Sequence, residues 1–239
     1  MPPTGRGKAS SAPLAPPWAA TALVSAFVAG SLLTALVWHA TRLDPVDAWV
    51  MRWQELASAR AGGPAATVAA SVAPVMVLTM VAAAVLGWLV GRRDLAVLAL
   101  AAPPVTLAVE VLLKRLVHRQ WEGDPDLLFP SGHLAVATAV ALLAVLAARV
   151  APVRPPTRLV VAWLAGGYVV AITVARLVET VHSLTDLVGG AATGLVVTLG
   201  TALALTAGSG HLPGRAGRPG RRRSRSMTRP PPGAGHSRS

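Results

Sequence analysis

The chain has 239 residues, of which 53% are apolar and only 13% are charged, and it contains no cysteine. The lack of cysteine excludes disulfides, thiolate catalysis and cysteine-based metal sites. Much of the net charge of +12 comes from the segment 208–239, which holds eight arginines and no acidic residue. That placement is typical of a basic cytoplasmic tail that contacts anionic lipid headgroups, so we expect membrane lipids and no nucleic acid as partners.

Six apolar runs are each long enough to cross a bilayer as a helix, which takes about 20 residues. The first run is too long for the apolar region of a cleaved signal peptide. We therefore predict an all-α, multi-pass cell-membrane protein with a flexible cytoplasmic tail at 1–17, a six-span domain at 18–207 and a disordered Arg-rich cytoplasmic tail at 208–239. The predicted spans are 18–38, 67–90, 95–113, 133–150, 159–176 and 187–207.

The basic residues of the short loops predict the orientation in the membrane, because lysine and arginine mark the cytoplasmic side. Six spans place both termini on one side, and we expect that side to be the cytoplasm. The loops after spans two and four then also face inward, with the basic residues Arg92, Arg93, Arg149, Arg154 and Arg158. The loops after spans one, three and five face outward.

An apolar stripe lies between the first two predicted spans, where Val46, Trp49, Val50, Trp53 and Leu56 recur at helical spacing. A stripe with two tryptophans is typical of a helix at the outer membrane interface. We expect it to pack over neighbouring spans, since such stripes are usually buried. The alternative is that it lines an entry for a lipid substrate.

Polar and charged side chains gather at the ends of spans three to six, on the predicted outer side. A cluster of cations and two histidines with one carboxylate suits the binding of a phosphate ester. The members of this cluster are Lys114, Arg119, Ser131, His133, Arg176, His182 and Asp186.

Each of these side chains has a task in phosphate chemistry. Ser131 and Gly132 precede span four, where a hydroxyl and free backbone N–H groups at a helix N-terminus can bind an anion. Lys114 and Arg176 can neutralise the phosphoryl oxygens as charge builds on them.

The two histidines suit a reaction in two stages. His182 and Asp186 are spaced i, i+4, so the carboxylate can fix the imidazole tautomer and leave the other ring nitrogen free to attack. His133 could then protonate the leaving oxygen and later deprotonate a water. The sequence thus predicts a phosphohistidine intermediate.

Lys114, the run Pro130–His133 and the pattern Arg176-x5-His182-x3-Asp186 together resemble the signature of the type 2 phosphatidic acid phosphatase superfamily. That superfamily includes bacterial lipid phosphate phosphatases and polyprenyl diphosphate phosphatases. Its membrane members have six spans and an extracytoplasmic site.

The resemblance covers roughly residues 66–207 and implies a metal-independent lipid phosphatase without a cofactor. The implied substrate is a polyprenyl diphosphate, a phosphatidic acid or a phosphatidylglycerol phosphate. The implied roles are His182 as nucleophile, Asp186 as its partner, His133 as general acid, and Lys114, Ser131, Gly132 and Arg176 as phosphate ligands.

The chain departs from the family pattern in two motifs. Trp121 and Glu122 stand where the first motif has Arg-Pro, and Ala175 stands where the third motif has serine. Arg119 lies two residues before the missing arginine, and we predict that it reaches the phosphate if the loop bends.

Other ionisable residues near the predicted span ends have simpler interpretations. Arg115 and His118 at the end of span three, and His39 at the end of span one, are expected to lie at the membrane interface. Glu110 lies inside span three, so it must pair with a basic residue or be protonated.

Three alternatives to a lipid phosphatase remain open. The chain could be a weak or inactive relative that binds or transports phospholipid, and Pro74, Pro103 and Pro104 could interrupt spans as in transporters. An intramembrane hydrolase could use Ser131 as nucleophile, although the G-x-S-x-G elbow is missing. A zinc site could be built from His133, His182 and Asp186, although the cations favour phosphate over a second cation.

Overall fold

A computed structural model describes residues 13–38, 45–120 and 128–210. These residues are arranged in helices, with no strand among them. Residues 1–12 of the first predicted tail and residues 211–239 of the second lie outside the described residues, whereas Leu14 and Ala15 are described and buried. The helices are α1 (Ala19–Val37), α2 (Pro45–Ala70), α3 (Val72–Leu89), α4 (Arg93–Val117), α5 (Gly132–Val150), α6 (Pro155–Val178) and α7 (Leu184–Gly210).

Six segments in the described part of the chain are long and apolar enough to cross a membrane, which confirms the six predicted spans. The second span, Gly63–Leu89, combines the end of α2 with α3, and the helix is interrupted between them at Ser71. Helices α4, α6 and α7 extend beyond their apolar runs because they continue through charged residues near their ends, Arg93, Arg158 and Asp186. The expected interruption at Pro103 and Pro104 is wrong, since both prolines lie within the continuous helix α4.

Helix α5 is the centre of the bundle, where it contacts α3, α4, α6 and α7. Its sequence is rich in alanine, and most of its residues are buried. Small side chains let helix backbones approach closely, which is how membrane helices gain packing energy when lipid is as apolar as their own side chains. The central position of α5 puts its first residues, including His133, among the ends of three other helices.

Two glycines on α7 bring that helix against the start of α5. A Cβ atom added to Gly190 would collide with the Ser131 carbonyl oxygen, and one added to Gly194 would collide with the Ala135 carbonyl oxygen. Only glycine fits at these two positions, because each faces backbone rather than a side chain that could move. This close approach places the start of α5 beside the start of α7.

Two contacts show which helix termini lie at each end of the bundle. At one end, the Ala15 N–H donates to the Thr206 hydroxyl over 3.4 Å, so the start of α1 lies beside the end of α7. At the other end, Val37 packs with Val117 and Phe129, which joins the end of α1 to the end of α4 and to the segment before α5. The ends of α4 and α6 and the starts of α5 and α7 therefore share one end of the bundle, as the span count predicts.

Helix α2 turns its tryptophans outward, so the expectation that its apolar stripe packs over neighbouring spans is wrong. Trp49 and Trp53 are 56% and 59% exposed, and they touch each other edge to face. The buried side chains of this segment are instead polar, Asp47 and Gln54. The arrangement suits a helix whose apolar face meets lipid while its polar face meets protein, because lipid reverses the usual sense of amphipathicity.

We predict that Gly194→Ala destabilises the bundle, since the new methyl group would push α7 away from the α5 backbone. Overpacking of this kind costs about 1–3 kcal/mol, or roughly 2–10 °C in Tm. Gly200→Ala is the matched control on the same helix, because its added Cβ would meet nothing closer than a Leu23 methyl at 4.0 Å. Thermal unfolding in detergent measures both, and equal Tm values for the two variants would contradict the packing argument.

Candidate active site

A cavity of about 1100 Å³ lies at the end of the bundle where α4 and α6 end and α5 begins. Its charged and ionisable lining consists of Glu110, Lys114, His133, Arg176 and His182. The structure thus brings together four of the side chains that the sequence singled out. Most of the remaining lining is apolar and comes from the α2–α3 junction and neighbouring helices, namely Ala69, Ala70, Val72, Ala73, Met76, Leu107, Leu128, Val136 and Val181.

His182 lies in the short turn between α6 and α7 and is only 6% exposed. Its backbone carbonyl accepts a hydrogen bond of 3.2 Å from the Gln54 amide, which ties the turn to α2. Its Nδ1 lies 3.9 Å from Asp186 Oδ2, beyond hydrogen-bond distance, and is buried without a hydrogen-bond partner. The imidazole and the carboxylate therefore lie close together but are not joined by a hydrogen bond.

Asp186 begins α7 together with Ser183 in a reciprocal capping arrangement. The Ser183 N–H donates to Asp186 Oδ2 over 2.9 Å, and the Asp186 N–H donates to the Ser183 hydroxyl over 3.3 Å. These two bonds satisfy backbone donors that the first turn of a helix leaves free. The carboxylate thus caps the helix and also faces the imidazole of His182.

The structure does not bring Arg119 to the cavity where we expected it to bind phosphate. Its side chain is 1% exposed, and its guanidinium lies between two buried carboxylates. Nη1 donates to Asp186 Oδ1 over 2.7 Å, and Nη2 donates to Asp47 Oδ2 over 3.1 Å. Two carboxylates in a water-poor environment bind the guanidinium more strongly than a distant phosphate site could. Arg119 is accordingly better described as a support for Asp186.

Asp47 is a site residue that sequence reasoning missed. It is fully buried in the first turn of α2, and its Oδ1 accepts the Thr185 N–H over 3.0 Å while its Oδ2 accepts the Thr185 hydroxyl over 2.6 Å. Burial would raise the pKa of the Asp47 carboxyl, but the hydrogen bonds from Thr185 and Arg119 outweigh burial and lower that pKa. In the sequence, Asp47 is an acidic residue beside an apolar stripe. Its local pattern is the same as that of an ordinary helix cap, so nothing marks it as a site residue.

The two cations that line the cavity are each paired with a carboxylate. Lys114 Nζ lies 2.8 Å from Glu110 Oε1, one turn earlier on α4. Arg176 Nη1 lies 2.6 Å from Glu179 Oε2, just beyond the end of α6. The pairing explains how Glu110 is accommodated inside a span, where an unpaired charge costs several kcal/mol.

Ser131 and Gly132 differ in their relation to the cavity. The Ser131 N–H donates to the Asp186 carbonyl over 2.9 Å, and the buried Ser131 hydroxyl has no partner in the described residues. Gly132 lines the cavity, and a Cβ atom there would lie 2.9 Å from Glu110 Oε1. Gly132 therefore allows the start of α5 to approach α4, whereas Ser131 connects α5 to α7.

Two positions that depart from the family pattern, Trp121 and Glu122, lie outside the described residues. Ala175 is described and is buried near the end of α6. Its methyl side chain offers no hydrogen bond to an anion, unlike the guanidinium of the neighbouring Arg176, which lines the cavity.

Comparisons with known proteins agree with this geometry. A family model for the PAP2 superfamily matches residues 69–207. The fold is similar to the crystal structure of the first transmembrane PAP2 type phosphatidylglycerolphosphate phosphatase from Bacillus subtilis, with a TM-score of 0.60 and 18% identity over 80% of this chain and 96% of that one. A search of curated proteins gave no match. Because the family match covers more than half of the chain and includes every residue of the three motifs, this protein belongs to the PAP2 superfamily.

Proposed function

We propose that this protein is an integral-membrane phosphatase that hydrolyses a phosphate ester or diphosphate of a lipid. The observation that carries the proposal is one cavity in which Lys114, His133, Arg176 and His182 face a common space beside an apolar wall. The cations suit a phosphate group and the histidines suit nucleophile and general acid. A polyprenyl diphosphate, a phosphatidic acid or a phosphatidylglycerol phosphate would place its tail along the apolar wall.

His182 is the proposed nucleophile because its imidazole is neutral under physiological conditions. Burial, together with the positive charges of Arg176 and Lys114, lowers the pKa of His182 to about 3. A neutral imidazole has a lone pair available to attack phosphorus. Since Nδ1 faces Asp186, Nε2 is the atom that attacks and forms the phosphohistidine.

His133 is the proposed general acid and base at the start of α5. It would protonate the leaving oxygen in the first stage and remove a proton from the attacking water in the second. In the first stage positive charge develops on His182, and the Asp186 carboxylate 3.9 Å from Nδ1 would stabilise it after a small approach. Catalytic hydrogen bonds are often long in unliganded enzymes and tighten when substrate binds.

Substrate binding would exchange carboxylates for phosphate at both cations. Glu110 is paired with Lys114 and Glu179 is paired with Arg176, so a phosphate group must compete with these carboxylates. A phosphate dianion offers more charge and more acceptor oxygens than one carboxylate. The exchange would therefore favour a dianionic headgroup over a monoanionic one.

The proposed orientation places the site on the extracytoplasmic side and both termini in the cytoplasm. Basic residues near short loops mark the cytoplasmic side. At the end of the bundle opposite the cavity, Arg92 and Arg154 lie in the loops, and Arg93, Arg149 and Arg158 lie in the adjoining helix turns.

A weak or inactive relative that only binds phospholipid is the second candidate. The observation in its favour is that His182 Nδ1 has no hydrogen bond to Asp186. The other two alternatives have less support in the described residues. The Ser131 hydroxyl has no hydrogen bond to a base, and no group of three His, Asp or Glu side chains there is placed to hold a metal ion.

We expect purified protein in detergent to release phosphate from at least one of a polyprenyl diphosphate, a phosphatidic acid and a phosphatidylglycerol phosphate, with excess chelator present. His182→Ala should abolish release, and His133→Ala should slow it by about 10²- to 10⁴-fold, the usual size of general acid–base catalysis. His118→Ala is the control, at an exposed position outside the cavity. Phospholipid binding without release in a folded wild type would favour the binding-only candidate.

We expect acid to destabilise the protein partly through His182. Between pH 6.5 and about 3 the unfolded chain binds a proton at His182 that the folded chain does not, so stability falls as pH is lowered through this window. His182→Gln should therefore lose less Tm than wild type between pH 7 and pH 4.5. From pH 7 to pH 8.5 the two proteins should respond alike, because His182 is then neutral both folded and unfolded. An equal acid response would contradict a neutral buried imidazole.

We expect Glu179→Gln to strengthen binding of phosphate, since it removes the carboxylate that competes for Arg176. The inhibition constant for inorganic phosphate should fall roughly threefold to tenfold, equivalent to about 1 kcal/mol. Glu55→Gln on the exposed face of α2 makes the same chemical change away from the cavity and should have no effect. A weaker or unchanged inhibition by phosphate in Glu179→Gln would contradict the exchange.

A further inference from the structure

We propose that Asp47 is a positioning residue for His182, acting through Arg119 and Asp186. The inference rests on the proposed function, in which His182 attacks phosphorus. Asp47 lies before residue 69 and so outside the segment that the family model matches. Helix α2 would thus supply a part of the catalytic apparatus that the family motifs do not contain.

The proposal rests on the geometry of the Arg119 guanidinium, whose two terminal nitrogens bind two different carboxylates. One arm, Nη1, binds Asp186 Oδ1 at 2.7 Å, and the other arm, Nη2, binds Asp47 Oδ2 at 3.1 Å. The preferred arrangement of an isolated arginine and carboxylate is bidentate, with both arms on one carboxylate. Asp47 therefore holds the second arm, and Asp186 Oδ2, the oxygen that faces His182 Nδ1, accepts instead from the N–H and the hydroxyl of Ser183.

The charges of this buried group point to the same role. Asp47, Arg119 and Asp186 are each at most 1% exposed, and two carboxylates with one guanidinium carry one excess negative charge. Burying charges costs several kcal/mol per ion, so an unbalanced group needs a compensating positive charge. The nearest imidazole, that of His182, becomes positive when Nε2 bonds to phosphorus. The excess charge would stabilise that state more than the resting one, which is the condition for catalysis.

Further contacts connect α2 to the same turn. Asp47 accepts both the N–H and the hydroxyl of Thr185, and the Gln54 amide donates to the His182 carbonyl. Thr185 in turn accepts the Arg119 Nη1 over 2.6 Å. The polar face of α2 thus fixes both the backbone of the turn between α6 and α7, which holds His182, and the Arg119 guanidinium beside that turn.

The test is Asp47→Asn, which keeps the size of the side chain but removes its charge. We expect kcat to fall about 10- to 100-fold, as for other residues that orient a catalytic group through a hydrogen bond. KM and inhibition by inorganic phosphate should stay unchanged, because Lys114 and Arg176 are untouched. Asp94→Asn is the matched control, since Asp94 also pairs with an arginine, Arg92, but at the opposite end of the bundle.

A double-mutant cycle separates positioning from mere support of the fold. If Asp47 acts through Asp186, Asp47→Asn should cost little more activity once Asp186→Asn is present. If it only stabilises the protein, the two losses should multiply, and this result would overturn the proposal. Tm values of all variants identify any loss that is due to unfolding.

A measurement without turnover distinguishes this inference from the proposed function. NMR of protein labelled with ¹⁵N-histidine, with His182→Gln for assignment, should show the Nδ1–H tautomer in wild type and its loss in Asp47→Asn. If wild type releases no phosphate but the tautomer changes, the proposed function fails and the positioning role stands. If wild type is active and neither kcat nor tautomer changes in Asp47→Asn, the positioning role fails and the function stands.

Discussion

The close approach of α5 and α7 is the constraint on which the site depends. Gly190 and Gly194 let the two backbones meet where side chains would keep them apart, and the Ser131 N–H reaches the Asp186 carbonyl as a result. This contact sets the distance between His133, at the start of α5, and His182, just before α7. A membrane bundle has little hydrophobic driving force between its helices, so such precise backbone packing replaces it.

Electrostatics organises the same region in two layers. Next to the cavity, Lys114 and Arg176 are paired with Glu110 and Glu179, the carboxylates that a phosphate group would replace under the proposed function. Behind His182, Arg119 is paired with the fully buried carboxylates of Asp47 and Asp186. Both layers follow from the low dielectric of a membrane protein, in which a charge without a partner is costly. The ion pairs that a ligand would exchange line the cavity, whereas the ion pairs of Arg119 are fully buried.

The parts predicted from the sequence are those set by local spacing. Apolar runs located the spans, because helix rise and bilayer thickness alone determine the length of a span. The i, i+4 spacing anticipated that His182 lies near Asp186, although His182 precedes α7 and is held there by the turn before that helix. The partner of Arg119 was not predictable, since Asp47 is distant in sequence and meets it only when α2 packs on α6 and α7. The outward face of α2 was misjudged because a stripe of tryptophans is buried in water-soluble proteins and exposed in lipid.

The outward tryptophans connect the position of α2 in the membrane to the polar groups on the other face of the helix. Trp49 and Trp53 lie on the opposite side of the helix from Asp47 and Gln54, so one face of α2 is turned outward and the other lies against the turn that holds His182. Indole rings settle at a preferred depth near the headgroups. A change in bilayer thickness that tilts α2 would therefore also move the groups behind His182, and under the proposed function the reaction would respond to the thickness of the surrounding membrane.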